Sequence, residues 1–187
     1  MNVVKEVCNM FETETIRLRK LTNNDFEIYH NWRNDTEVMY STSPNLDIYT
    51  LEETEKYISM MANISNAKGY IIEHKKADKA VGIISLINID YKNRSAECVI
   101  DIGAKDMWGQ GIGSSAMALI MDYAFKELNM HRVYLQVFSF NINAIKLYEK
   151  MGFVHEGSLR SALYRSGKWH DIILMSILKS EYKSKLK

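Results

Sequence analysis

Cys98-Val-Ile-Asp-Ile-Gly-Ala-Lys-Asp-Met-Trp-Gly-Gln-Gly-Ile-Gly-Ser-Ser-Ala-Met117 decides how this chain folds: an apolar strand runs through a glycine-dense turn into a helix. Gly109, Gly111 and Gly113 alternate with Gln110 and Ile112. The backbone can therefore bend tightly and aim several N–H groups at one point where a helix begins. A helix N-terminus carries partial positive charge from its aligned peptide dipoles, so a pyrophosphate is a natural occupant of such a turn.

Three kinds of nucleotide ligand fit a turn of this sort. A Walker loop needs a lysine for the terminal phosphates, and none follows Gly113. Gly111-Ile-Gly113-Ser-Ser-Ala116 formally matches a dinucleotide fingerprint, which wants an acidic residue about 20 positions on to hold a ribose. The strand expected over Arg132 to Phe138 runs into Ser139-Phe140 with no acid, and too little chain follows for a second nucleotide-binding half. The third ligand is an acyl-coenzyme A. Downstream stands Asn141-Ile-Asn-Ala144-Ile145-Lys-Leu-Tyr148-Glu-Lys-Met-Gly152-Phe153, one helix and one strand after the glycine turn.

Together the two stretches resemble the signature of the GCN5-related N-acetyltransferase (GNAT) superfamily: a loop ending Gly-x-Gly, then Asn-x-x-Ala-x-x-x-Tyr-x-x-x-Gly-Phe. The resemblance covers roughly Ile16 to Leu178. It is closest to the branch of ribosomal-protein N-terminal, spermidine and amino-sugar acetyltransferases. Trp108 departs from the family, which most often has Gln or Arg at that place.

The resemblance implies an α/β (α+β) GNAT fold, with a central mixed, mostly antiparallel sheet of about six or seven strands and helices on both faces. The sheet would splay between the Ile100 strand and the Val133 to Val137 strand. The edge of Ile100, Asp101 and Ile102 would pair with the pantetheine amides of acetyl-CoA, and an N–H there would polarise the thioester carbonyl. The amides of Gly109, Gln110, Gly111, Ile112, Gly113 and Ser114 would hold the pyrophosphate, and Asn141 the pantetheine arm. Tyr148 matches the family tyrosine and is the expected general acid. A phenol of pKa about 10 is protonated at neutral pH and can supply a thiolate whose conjugate acid lies near 8.5. The bland alternative is that Tyr148 only packs on the coenzyme. Trp32-Arg33-Asn34-Asp35 matches a segment that approaches the acceptor in the resembling families, which makes Trp32 and Arg33 candidate substrate contacts.

Glu97, near the start of the strand that carries the thioester, is placed to take the proton of the incoming ammonium; a solvent-facing strand acid or an ion pair with Arg94 is the structural alternative. An acyl-enzyme through Cys98 would need an activating base, and no histidine lies close in sequence. The expected activity is therefore direct acetyl transfer from acetyl-CoA to a primary amine in a ternary complex. The amine belongs to a polyamine, an amino sugar or a protein N-terminus. Ser41-Thr-Ser-Pro-Asn45 lacks the acidic pair that the spermidine branch leads one to expect. A catalytically weak acyl-CoA-binding regulator or scaffold is the alternative function.

Composition narrows the partners. Of 187 residues, 47% are hydrophobic, and 24 Lys and Arg oppose 23 Asp and Glu, so a net charge of +1 gives no electrostatic case for nucleic acid or a membrane surface. Cys8 and Cys98 lie far apart, and His30, His74, His131, His155 and His170 show no metal spacing. With no apolar run near the roughly 18 residues of a membrane span, the cytoplasm is the default. A homodimer is common in the resembling families.

The domain is expected over 15–179, after a flexible arm at 1–14 and before a solvated lysine-rich tail at 180–187. Within it, Ile16 to Leu21 alternates as a strand, and Thr22 with Asp25 opens a helix carrying Phe26, Tyr29 and Trp32. Thr50-Leu-Glu-Glu53 is a capping box for a helix to about Asn63. Strands follow over 69–74, 81–90 and 95–103, then a helix over 113–128. A last hairpin turns at Arg165-Ser-Gly167-Lys168.

Overall fold

The alternating pattern of each apolar run becomes a strand with two differently covered faces. In the computed structural model, which describes residues 10–186, seven strands form one sheet. They are β1 (Ile16–Lys20), β2 (Lys68–His74), β3 (Lys79–Asp90), β4 (Ser95–Asp101), β5 (Arg132–Phe138), β6 (Val154–Arg165) and β7 (Lys168–Leu178), in the order β1-β2-β3-β4-β5-β7-β6. The helices are α1 (Phe26–Arg33), the four-residue α2 (Thr36–Met39), α3 (Leu51–Asn63), α4 (Ile112–Asp122) and α5 (Ile142–Met151). Each neighbouring pair of strands is antiparallel except β4 with β5. A parallel pair requires a crossover, and α4 supplies it.

Side-chain alternation along β2 and β3 divides the core. Ile71 and Ile83 meet Tyr29, Trp32 and Ile58 from α1 and α3 on one face. Ile72, Ile84 and Leu86 belong to the larger cluster on the other face, with Met117, Ile120 and Met121 of α4. The mixed sheet with helices on both faces thus has the expected architecture.

The expected caps open both early helical segments: Thr22 with Asp25 opens a 3-10 turn, Asn23–Asp25, that leads into α1, and the Thr50–Glu53 capping box opens α3. Asp25 Oδ2 accepts the Thr22 N–H at 2.8 Å, and Glu53 Oε2 accepts the Thr50 N–H at 2.7 Å. Asp25 is also held by Arg19 through two hydrogen bonds of 2.9 and 2.6 Å.

The chain ends differ from expectation where apolar groups find partners. Residues 1–9 of the expected arm lie outside the described residues. Phe11 docks, stacking on Tyr70 with centroids 5.4 Å apart. The tail is not merely solvated: Tyr182 packs on Phe125 and donates to Asp122 at 2.6 Å, and Ser184 donates to the same carboxylate at 2.9 Å. The expected helix over 113–128 is α4 followed by a wider π turn over Tyr123–Glu127.

Gly103 sets how closely the end of β4 approaches α1. A Cβ there would lie 2.1 Å from the Trp32 ring, whereas one on Gly157 would meet nothing within 4 Å. Gly103→Ala is expected to cost about 1–3 kcal/mol of stability in urea denaturation, and Gly157→Ala no more than about 0.5 kcal/mol.

Candidate active site

The β4–β5 ladder pairs Ser95 with Arg132, Ala96 with Val133 and Glu97 with Tyr134, and ends there. Both strands continue, β4 to Asp101 and β5 to Phe138. Beyond Glu97 they diverge, leaving the β5-facing edge of β4 open. This is the splay that the resemblance places between the two strands.

The glycine turn lies at the mouth of that opening. Gly109 and Gly111 adopt φ of +75° and +77°, and a Cβ on either would meet nothing within 4 Å. The demand for glycine is therefore conformational rather than steric. Gly111 is the N-cap of α4, and Ser115 N–H, donating to the Gly111 carbonyl at 3.0 Å, closes the first helical turn. The free amides of that turn fit a pyrophosphate. Two side chains brace the loop: the Trp108 indole donates to the Ile102 carbonyl at 2.8 Å, and Gln110 donates to the Asp106 carbonyl at 2.8 Å. Trp108 thus uses its single N–H donor to brace the turn.

A groove of about 660 Å³ runs from this cradle to α5. Of the expected coenzyme contacts it gathers Ile100, Ile102, Gly109, Gly111, Ile112, Gly113, Ser114, Asn141 and Tyr148. Gln110 does not line it, and Asp101 lies deeper. Asn141 works structurally as well: Oδ1 caps α5 on the Ala144 N–H at 3.2 Å, and Nδ2 donates to the Ser41 carbonyl at 3.2 Å.

At its inner end the groove meets a chamber of about 60 Å³, sharing Ser41, Thr42, Ile100, Asn141 and Tyr148 with it. The chamber adds Glu97, Asp101 and Gln136, and no lysine or arginine is among its lining residues. Tyr148 is 8% exposed, and its hydroxyl makes no hydrogen bond with another described residue. Burial, then Cys98 and Asp101, push its pKa above the ordinary phenol value, so it stays protonated. Glu97 is 9% exposed and accepts amide N–H groups from Asn88 at 2.9 Å and Gln136 at 3.3 Å. Asp101 Oδ1 is buried without a hydrogen-bond partner, and burial raises its pKa against the opposing effect of Thr42. Cys98 faces away, its thiol 3.6 Å from Met117 Sδ and pushed up to about 12 by burial and by Glu97.

Comparison with known proteins identifies the family. Residues 15–154 match the family model described as an acetyltransferase (GNAT) domain. The chain belongs to the GNAT acetyltransferases. It is 34% identical over 170 residues to the spermidine N(1)-acetyltransferase of Vibrio cholerae, covering 89% of this chain and 95% of the relative. Identity to the Escherichia coli enzyme of the same name is 30% over 174 residues, covering 92% and 91%. A crystal structure of the Vibrio cholerae enzyme in complex with CoA and spermine superposes with a TM-score of 0.83 at 31% identity, over 91% of this chain and 99% of that one. The protein is accordingly an acetyl-CoA-dependent N-acetyltransferase.

Two expected substrate contacts of this acetyltransferase lie elsewhere. Trp32, 8% exposed, packs in the smaller core cluster, and Arg33 is stacked over Tyr49 at 3.4 Å and Tyr57 at 4.9 Å. Neither lines the groove or the chamber. Ser41 and Thr42, from the uncharged loop in which the sequence offered no acidic pair, line both the groove and the chamber. Arg165, 4% exposed, pins that loop by donating to the Ser43 carbonyl at 2.5 Å and the Pro44 carbonyl at 3.3 Å. Tyr40 reaches the same hairpin, its hydroxyl 3.2 Å from Ser166 Oγ.

Gly111→Ala forces a left-handed conformation on a residue with a Cβ, at about 1 kcal/mol or more. The variant is expected to bind acetyl-CoA about fivefold to tenfold more weakly by calorimetry. Gly157→Ala, remote from the groove, should leave that affinity unchanged.

Proposed function

We propose that the acceptor is a small cationic amine of the polyamine class, acetylated directly within a ternary complex. The observation that carries this is the charge of the inner chamber: Glu97 and Asp101 line it, and no basic side chain does. An ammonium group is the head such a lining attracts. The neutral Ser41–Asn45 loop therefore does not argue against a cation, because β4 supplies the carboxylates. Support also comes from the spermidine acetyltransferases, which align along nearly the whole chain.

Within this reading the backbone of Ile100, Asp101 and Ile102 pairs with the pantetheine arm, and the amides at Gly109 to Ser114 hold the pyrophosphate. Glu97 and Asp101 face the amine. Tyr148 reaches both cavities and keeps its proton, which equips it to protonate the departing thiolate. Cys98 is unsuited to carry an acyl group, since its thiol is buried, protonated and turned toward Met117.

Release of free thiol from acetyl-CoA tests the acceptor class, with spermidine, amino sugars and short peptides offered in turn. Transfer to spermidine is expected; transfer only to peptides would overturn the polyamine assignment. Binding of acetyl-CoA with no transfer to any amine would favour a regulator or scaffold. Tyr148→Phe is expected to lower kcat about 100-fold with little change in acetyl-CoA affinity. An unchanged kcat would remove Tyr148 from the acid role.

A further inference from the structure

We propose that Asp101, the last residue of β4, receives the acceptor's ammonium and removes its proton before transfer. This rests on the chamber being the acceptor end of an acetyl-transfer site. Cys98 points to α4 and makes its sulfur contact there, so strand alternation places Glu97, Val99 and Asp101 on the opposite face. The two carboxylates are four residues apart, about 13 Å along the strand, and belong to different parts of the chamber.

Their hydrogen bonding separates their roles. Both Glu97 oxygens already accept amide N–H groups, from Asn88 and Gln136, at the residue where the parallel ladder ends. Glu97 positions the opening. Asp101 offers a buried Oδ1 with no donor on it, and no ion pair reaches its carboxylate among the described residues. A buried carboxylate oxygen without a donor is costly unless a cation or donor is to meet it.

The surroundings suit a base. Tyr29 from α1, Tyr57 from α3 and Tyr148 from α5 all sense the Asp101 charge, and Thr42 faces it from the loop. The nearby cation, Arg33, lies over the rings of Tyr49 and Tyr57 and makes no ion pair with Asp101. Burial holds the Asp101 carboxyl above the usual carboxylate range, which brings it closer to the working pH of a general base.

The proton and electron pairs then balance as follows. The ammonium gives one proton to the Asp101 carboxylate, and the freed nitrogen lone pair attacks the thioester carbonyl carbon. As the C–N bond forms and the tetrahedral adduct collapses, the C–S bond breaks and the thiolate takes the Tyr148 phenolic proton. The nitrogen's surplus proton restores Tyr148, and Asp101 releases its proton to solvent. The products are one amide, one CoA thiol and one proton.

Acetylation of spermidine and of glucosamine is measured from about pH 6 to about pH 10 for wild type, Asp101→Asn and Glu97→Gln, with acetyl-CoA affinity determined by calorimetry. Asp101→Asn is expected to lose about 100-fold or more in kcat/KM at neutral pH while keeping acetyl-CoA affinity. It should recover as the pH approaches the amine's own pKa, where no base is needed. Glu97→Gln should lose less and show no such recovery. Should Asp101→Asn fail to bind acetyl-CoA, Asp101→Glu carries the test: a carboxylate kept at that place should preserve the acidic limb of kcat/KM. A wild-type rate in Asp101→Asn, a loss equal at every pH, or an Asp101→Glu variant that binds acetyl-CoA yet lacks the acidic limb overturns the assignment. A wild type that binds acetyl-CoA and acetylates neither amine fails the acceptor reading itself, and the role of Asp101 with it.

Discussion

Everything in this structure follows from one parallel strand pair that stops early. β4 and β5 share three paired residues and then part at Glu97 and Tyr134. Backbone N–H and C=O groups inside a sheet are strong hydrogen-bonding groups that call for partners. An open strand edge is therefore a template for another extended chain carrying amides, and a pantetheine arm is such a chain. The parallel geometry also demands a crossover, and the helix that makes it, α4, brings its N-terminus and the left-handed Gly109 and Gly111 to the mouth of the opening. The open strand edge and the glycine turn at the start of α4 thus lie together because of a single break in the ladder.

Charge is arranged around the same break. The carboxylates come from the strand, at Glu97 and Asp101, while the covering loop is neutral and tied down through its carbonyls by Arg165. A cation can thus be attracted to the chamber without the loop contributing charge. Both Glu97 oxygens accept amide donors, whereas the buried Asp101 Oδ1 has none. Tyr148, next to both cavities, stays protonated because burial and neighbouring groups disfavour its anion.

Much of this was legible in the residues. The strand–glycine–helix stretch and the Asn141 to Phe153 run fixed the family, and the caps at Thr22 and Thr50 opened helical segments where expected. These features are local: a cap, a left-handed glycine or an alternating run depends on a few neighbouring residues. The features that were missed depend on distant ones. Trp32 and Arg33 read as acceptor contacts, but close approach of Gly103 and stacking by Tyr49 and Tyr57 bury or occupy them. Tyr182 looked solvated because its partner, Asp122, lies on another element. The side chain of Asp101 was hidden inside a stretch read only for its backbone, since the burial of its Oδ1 without a partner depends on tertiary packing and not on neighbours in sequence. The placing of β7 between β5 and β6 is likewise a matter of sheet topology that no single run encodes.

Amide hydrogen exchange, with and without acetyl-CoA, tests the central claim most directly, since that claim concerns backbone groups. Bound acetyl-CoA is predicted to slow exchange at Val99 to Ile102 and at Gly109 to Ser114, and to leave Ile71 to Glu73 in the middle of β2 unchanged. Protection confined to other segments, or absent from the β4 edge while acetyl-CoA is bound, would contradict the account.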